Sequence, residues 1–156
     1  MKALFIGGTG TISSAISALA VEQGVELTLL NRGNRSDLIP KGAEVVSCDI
    51  GDEADAAKKL EGRSFDVVAD FIAFRPDQVE RDIRLFSGKT KQSFFISSAS
   101  AYQKPLSNPV INEATPLANP YWQYSRDKIA CEDRLMAEYR ANGFPVTIIR
   151  PSHTYS

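Results

Sequence analysis

The stretch "KALFIGGTGTIS", Lys2 to Ser13, decides the fold. Lys2 to Ile6 reads as a short buried strand that runs straight into "GGTG". From Thr11 to about Gln23 the apolar residues Ile12, Ile16, Leu19 and Ala20 recur at helical spacing. That spacing predicts an amphipathic helix with this face buried, stopped by Gly24. Gly7 and Gly10 are spaced GxxG, and Ser13 stands where a third glycine would complete the pattern. Glycines let the backbone turn tightly and approach a ligand, and a helix N-terminus offers unpaired N–H groups and a positive dipole end. Alone, such a turn commonly serves geometry only. Between the first strand and first helix of a βαβ unit it predicts a pyrophosphate cradle.

The rest of the chain keeps the same alternation. "VELTLL" (Val25–Leu30), "AEVVSC" (Ala43–Cys48), "FDVVADFI" (Phe65–Ile72), "SFFIS" (Ser93–Ser97) and "VTII" (Val146–Ile149) read as strands. The fourth is almost continuously apolar, which predicts a sheet covered on both faces. "DEADAAKKL" is a charged helix, acidic at its start and basic near its end, as the helix dipole favours. Pro76 opens a helix with Val79, Ile83 and Phe86 on one face. A Pro- and Asn-containing loop from Gln103 to Pro120 precedes a last helix ending near Gly143, and a loop of that length is usually functional or mobile. Strands alternating with helices give right-handed βαβ units. The expected fold is therefore α/β: a doubly wound parallel sheet of six strands in the order 3-2-1-4-5-6, the Rossmann fold. Its ligand crevice should lie at the carboxyl ends of the strands.

Composition narrows the function classes. The chain has 156 residues, enough for one domain with a single core. A net charge of −1 with both signs dispersed gives no basic stripe for nucleic acid or an anionic membrane. Cys48 and Cys131 are far apart and lack metal spacing, so reduced intracellular thiols are expected and no metal cluster is visible. The apolar run in "MKALFIGG" is shorter than a secretory core, and no segment reaches the ~20 apolar residues of a membrane span. A cytoplasmic protein is expected.

In dinucleotide-binding folds an acidic residue after the second strand takes the adenosine ribose of NAD. Here Asn31 and Arg32 occupy that place, with Arg35 nearby and no Asp or Glu available. A guanidinium there pairs with a 2′-phosphate, which favours NADP over NAD. The alternative is that both arginines decorate a solvated loop.

Later in the chain "SSASAY" places Ser98 four residues before Tyr102, and "YSRDK" places Lys128 four residues after Tyr124. Together with "IGGTGTIS" (Ile6–Ser13), these segments resemble the extended branch of the short-chain dehydrogenase/reductase superfamily. That branch holds the NAD-dependent epimerases and dehydratases of nucleotide sugars. The resemblance covers nearly the whole chain. The family's TGGxGxIG is matched with Ile6 for Thr and Ser13 for the last Gly. The resemblance implies that Gly7, Gly8, Thr9, Gly10, Thr11 and Ile12 form the cofactor loop. Asp49 and Ile50 would sit against the adenine. Phe71, Ile72 and Ala73 would line the cofactor after strand four, with Arg75 near the substrate side. Ser98, Tyr124 and Lys128 would be the catalytic serine, tyrosine and lysine, with Ser97 beside the cofactor and Glu132 in the Lys-x-x-x-Glu continuation. "RPSHTY" (Arg150–Tyr155) would meet nicotinamide and substrate, with Pro151 and His153 as lining.

The chemistry has a magnitude behind it. Residues four apart share a helix face, so Tyr124 and Lys128 project together. A free phenol has a pKa near ~10, and lowering it by about 3 units takes roughly 4 kcal/mol. A cation about 4 Å away at an effective dielectric of about 20 supplies an attraction of that size. Tyr124 would exchange a proton with a substrate oxygen, Ser98 would orient that oxygen, and Lys128 would lower the phenol pKa and bind the cofactor ribose. Tyr121 and Trp122 are expected to pack or to line the substrate mouth.

By the same resemblance, family members continue for a similar length again. The whole chain is therefore read as one cofactor domain, without the C-terminal substrate domain. Low activity is expected, together with self-association, for instance as a homodimer, through the open edge of "VTII". The expected partner is a small molecule, a nucleotide sugar or a related hydroxyl or carbonyl compound. A non-catalytic dinucleotide sensor and an RNA-binding relative are the rival readings on the same fold.

Overall fold

The computed structural model describes residues 1–154. Six strands form one parallel sheet: β1 (Lys2–Ile6), β2 (Glu26–Asn31), β3 (Glu44–Ser47), β4 (Phe65–Asp70), β5 (Thr90–Ile96) and β6 (Val146–Ile149). Their order is β3-β2-β1-β4-β5-β6, as the sequence predicts. Helix α1 (Thr11–Glu22) follows β1, α2 (Glu53–Lys59) follows β3, α3 (Pro76–Phe86) follows β4 and α4 (Gln123–Asn142) follows β5. The register brings Phe5 opposite Leu29 and Ala69, Ala69 opposite Phe94, and Phe94 opposite Thr147.

Successive strand residues face opposite ways, so the core is split in two. On one face Leu4, Ile6, Leu30 and Val68 pack with Ala56, Leu60, Leu85 and Phe86 of the α2–α3 layer. That layer continues through Val79, Ile83, Phe95, Cys131 and Leu135 under α3 and α4. On the other face Ala3, Phe5, Leu27, Leu29 and Ala69 pack with Ala20 and Val21 of α1.

Two expectations change here. The α1 periodicity is helical, but the face turned inward carries Ser13 and Ser17, while Ile16 and Leu19 stand exposed. Only small side chains fit where α1 crosses the glycine turn, so size outweighs hydrophobicity on that face. The apolar run of β4 is also not covered equally on both sides. Beside α1, whose Ile16 and Ala20 form one wall, Phe71, Phe94, Ile96 and Ile149 line an apolar hollow of about 270 Å³ on the outer face. Right-handed crossovers place α2, α3 and α4 on the inner face, which leaves α1 as the outer cover among the described residues.

Candidate active site

The glycine turn is braced by serines. Ser13 Oγ donates to the Gly7 carbonyl at 2.7 Å and accepts from the Gly10 N–H at 2.8 Å. Ser17 Oγ donates to the Gly8 carbonyl at 2.9 Å. Gly7 has φ +78°, and a Cβ there would lie 2.5 Å from Ile72 Cγ2. A Cβ on Gly8 would lie 2.5 Å from Leu29 Cδ2. Glycine is therefore favoured at the first position by conformation and by space, while a side chain at the second would have to displace Leu29. The first turn of α1 carries no acidic side chain, so its N-terminal dipole end has no internal counter-charge.

In front of this turn lies a crevice of about 380 Å³, within the usual range for ligand sites. Gly7, Thr9, Gly10, Asn31, Arg32, Arg35, Asp49, Ile50 and Ile72 line it together. Asn31 Oδ1 accepts from the Gly33 N–H and Asp49 Oδ1 from the Gly51 N–H, each at 2.9 Å, which shapes the two loops of the rim. Arg32 and Arg35 are exposed. A helix N-terminus, a turn with three glycines and two nearby guanidinium groups fit a phosphate-bearing dinucleotide.

The other expected cofactor residues lie elsewhere. Gly8 is packed beneath the turn, and Thr11 and Ile12 ride on α1. The Phe71 ring turns to the outer face, edge-on to Phe5 at 5.4 Å between centroids. Ala73 is buried and presents its carbonyl to Lys128. Ser97 is buried, and its hydroxyl donates to Glu132. Pro151 accepts from the Ala99 N–H at 2.9 Å, and His153 is exposed. Tyr155, the last residue of "RPSHTY", lies outside the described residues.

At the other end of the sheet edge, α4 presents Tyr124 and Lys128. Lys128 is buried and donates to the Ala73 carbonyl at 2.7 Å and the Ile96 carbonyl at 2.6 Å. Its ammonium also stands 4.7 Å from the ring centroids of both Phe74 and Phe95. Burial lowers its pKa to about 8. The Tyr124 phenol is half-buried, and burial pushes it above its ordinary value while the Ser98 hydroxyl pulls it back. The expected lowering by Lys128 is not what this geometry produces. The ammonium is 5.7 Å from the Tyr124 ring centroid and is committed to two carbonyls. Ser98 also caps the 3₁₀ turn Ala99–Ala101, accepting from the Ser100 N–H at 3.1 Å.

A family model described as NAD(P)H-binding matches residues 7–156. The chain belongs to that family. A UDP-glucose 4-epimerase of Lactobacillus helveticus is 29% identical over 96% of this chain and 51% of its own length. The UDP-Glc/GlcNAc 4-epimerase from Campylobacter jejuni superposes with a TM-score of 0.81 at 21% identity, over 96% of this chain and 52% of its own. The Bordetella bronchiseptica enzyme WbmG, solved in complex with NAD, gives a TM-score of 0.78 at 20% identity, over 96% of this chain and 52% of its own. The resemblance to the epimerase/dehydratase branch is borne out. The chain spans about half the length of the curated relatives it matches, 51% and 49%. Among the described residues no helix is long and apolar enough to cross a membrane.

Sequence reasoning missed two buried groups along this edge of the sheet. Asp70, at the end of β4, forms an ion pair with Arg81 at 2.8 Å, and Arg81 also holds Asp82 at 2.6 Å. All three are buried, and Arg81 lines the crevice with Gln78. Burial and the neighbouring Asp70 carboxylate raise Asp82 well above the usual carboxylate range, against the pull of Arg81. The signal was present: Asp82 falls three residues after Val79, on the apolar stripe of α3, where a carboxylate needs a partner. The second group joins Glu132, Arg150, Ser97 and Tyr102. Arg150 grips the Glu132 carboxylate with Nε at 3.0 Å and Nη2 at 2.6 Å, and reaches the Tyr102 hydroxyl at 3.3 Å. Glu132 and Arg150 were visible as parts of motifs, but nothing local marked them as partners.

Proposed function

We propose that this chain binds NADP in preference to NAD at the glycine-turn crevice. We further propose that Tyr124, Ser98 and Lys128 form the acid–base site of an epimerase- or dehydratase-type enzyme acting on a nucleotide sugar. The observation that carries the reading is the grouping of a half-buried phenol, a serine hydroxyl that acts on its pKa, and a buried lysine that holds the Ala73 carbonyl, next to Ile72 of that crevice. The glycine turn and the α1 N-terminus would hold the pyrophosphate, and Arg32 and Arg35 a 2′-phosphate. Asp49 and Ile50 would lie against the adenine. When bound, the nicotinamide supplies a hydride acceptor and donor.

The chain's own residues do the rest. Ser98 donates a hydrogen bond to the substrate oxygen and fixes its direction. Tyr124 takes the proton from that oxygen, or returns it, at its phenolic oxygen. Release of Lys128 from one carbonyl would turn its charge toward the ribose and the phenol, and would offset the burial that now raises the phenol. The relatives' names point to UDP-glucose as the first compound to try.

The upward shift of Tyr124 favours a second reading, a dinucleotide-binding protein without turnover. One experiment separates the two. NADPH and NADH are titrated by nicotinamide fluorescence, and turnover of UDP-glucose is followed in the wild type and Tyr124→Phe. Tighter NADPH binding, with turnover lost in the variant and cofactor affinity kept, supports the enzyme. Tighter NADH binding refutes the NADP preference. Turnover retained by the variant refutes the acid–base role, and wild-type cofactor binding without turnover supports the second reading.

A further inference from the structure

Three aromatic rings meet at the candidate phenol. The Trp122 ring lies 4.8 Å from Tyr124 at 39°, and the Phe74 ring lies 6.3 Å away at 45°. Both flanking rings are large and exposed, Trp122 at 56% and Phe74 at 43%. Exposed aromatics that adjoin one another mark a binding surface more often than scattered ones do.

The backbone beneath Trp122 is pinned although its ring is not covered. Asn119 is buried, donates to the Ser100 carbonyl at 2.8 Å and accepts from the Tyr121 N–H at 3.1 Å. Arg126 donates to the Pro120 carbonyl. The Trp122 carbonyl accepts from the Ser125 N–H at 3.1 Å and the Arg126 N–H at 3.2 Å. A rigid mount under an exposed ring is a preorganised platform, because little motion is left to lose on binding.

We propose that Trp122 and Phe74 are specificity-determining residues that receive the apolar C–H face of the substrate's sugar ring. The inference rests on the function proposed above and names which residues of that site recognise the sugar. Its geometry is direct. The two rings stand 4.8 and 6.3 Å from the Tyr124 ring, so a sugar that brings an oxygen to the phenol is carried against them. The sugar, and not the nucleotide base, is therefore what the platform meets.

Trp122 is the single tryptophan of the chain, so its fluorescence reports this surface alone. The test titrates UDP-glucose and UDP into the full chain with reduced cofactor present, following Trp122 emission, and measures affinities by calorimetry. UDP-glucose is expected to change the emission saturably, and UDP is not. Trp122→Ala and Phe74→Ala are each expected to weaken UDP-glucose binding roughly tenfold. Trp122→Phe keeps most of the affinity, and in Trp122→Ala the reduced-cofactor affinity and melting temperature stay at wild-type values. If UDP-glucose binds Trp122→Ala as well as wild type, or UDP moves the emission as much as UDP-glucose, the inference is overturned. An emission that shifts with protein concentration alone assigns the rings to contact with a second copy and overturns it too. If wild type takes no UDP-glucose, the substrate reading itself fails and this inference falls with it.

Discussion

The two ends of the strand edge are built in opposite ways. At the glycine-turn end the braces are local: Ser13 to Gly7, Ser17 to Gly8, Asn31 to Gly33 and Asp49 to Gly51 join residues 2 to 9 positions apart. At the Lys128 end they are distant: Arg150 to Glu132, Ser97 to Glu132 and Lys128 to Ala73 span 18, 35 and 55 positions. A local brace closes a short loop and forms with its own turn. A distant one exists only once the sheet has assembled. The first end is a shaped backbone waiting for a ligand, and the second is a set of buried polar groups that already satisfy one another.

The sharpest way to break this contrast is to remove the hub of the distant set. Glu132→Ala leaves the part-buried Arg150 guanidinium and the buried Ser97 hydroxyl without their carboxylate, and leaving such groups unpaired costs about 1–3 kcal/mol. Urea denaturation should show a loss of that size. An unchanged midpoint would mean that Glu132 holds nothing.

Lys128 tests the same end through pH. Its folded pKa, about 8, lies below the ordinary value of 10.5. Below pH 8 folded and unfolded chains both carry the proton, and the folded one bears the cost of a buried charge in full. Between pH 8 and 10.5 the unfolded chain binds more protons, so stability should rise with pH in that window, by up to about 3 kcal/mol. The rise should be absent in Lys128→Met, and the comparison of denaturation curves at pH 7.5 and 10.5 checks it.

At the local end Gly7→Ala should cost about 1–3 kcal/mol. It puts a Cβ against Ile72 and a side chain at φ +78°. Reduced-cofactor binding should weaken with it, because Ile72 lines the crevice. The smallest effect on the fold is expected from Arg32→Ala and Arg35→Ala. Both residues are exposed, so stability should move by less than about 0.5 kcal/mol. Each should cost roughly tenfold in NADPH affinity and little in NADH affinity.

The contrast also explains what the sequence could tell. Strand order, the glycine turn and the Tyr124–Lys128 spacing are periodic or local signals, and all are legible. The inward face of α1 was misjudged because hydrophobicity was read where space decides, at Ser13 and Ser17. The pairing of Asp70 with Arg81 and of Glu132 with Arg150 was out of reach. A charged side chain looks the same in sequence whether it is solvated or buried against a partner far along the chain. The expected effect of Lys128 on Tyr124 had the right magnitude for a cation at about 4 Å. The ammonium is instead directed at two carbonyls, one of which belongs to a loop that the helix pattern says nothing about.

Strand β6 links surfaces that otherwise share no side chain. Ile149 lies on its outer side, in the apolar hollow, and its carbonyl accepts from the Ser97 N–H at 2.7 Å. Arg150, one peptide further, turns the other way and clamps Glu132 on α4. Two adjacent residues thus tie the outer hollow and the Glu132 ion pair to the same end of one strand.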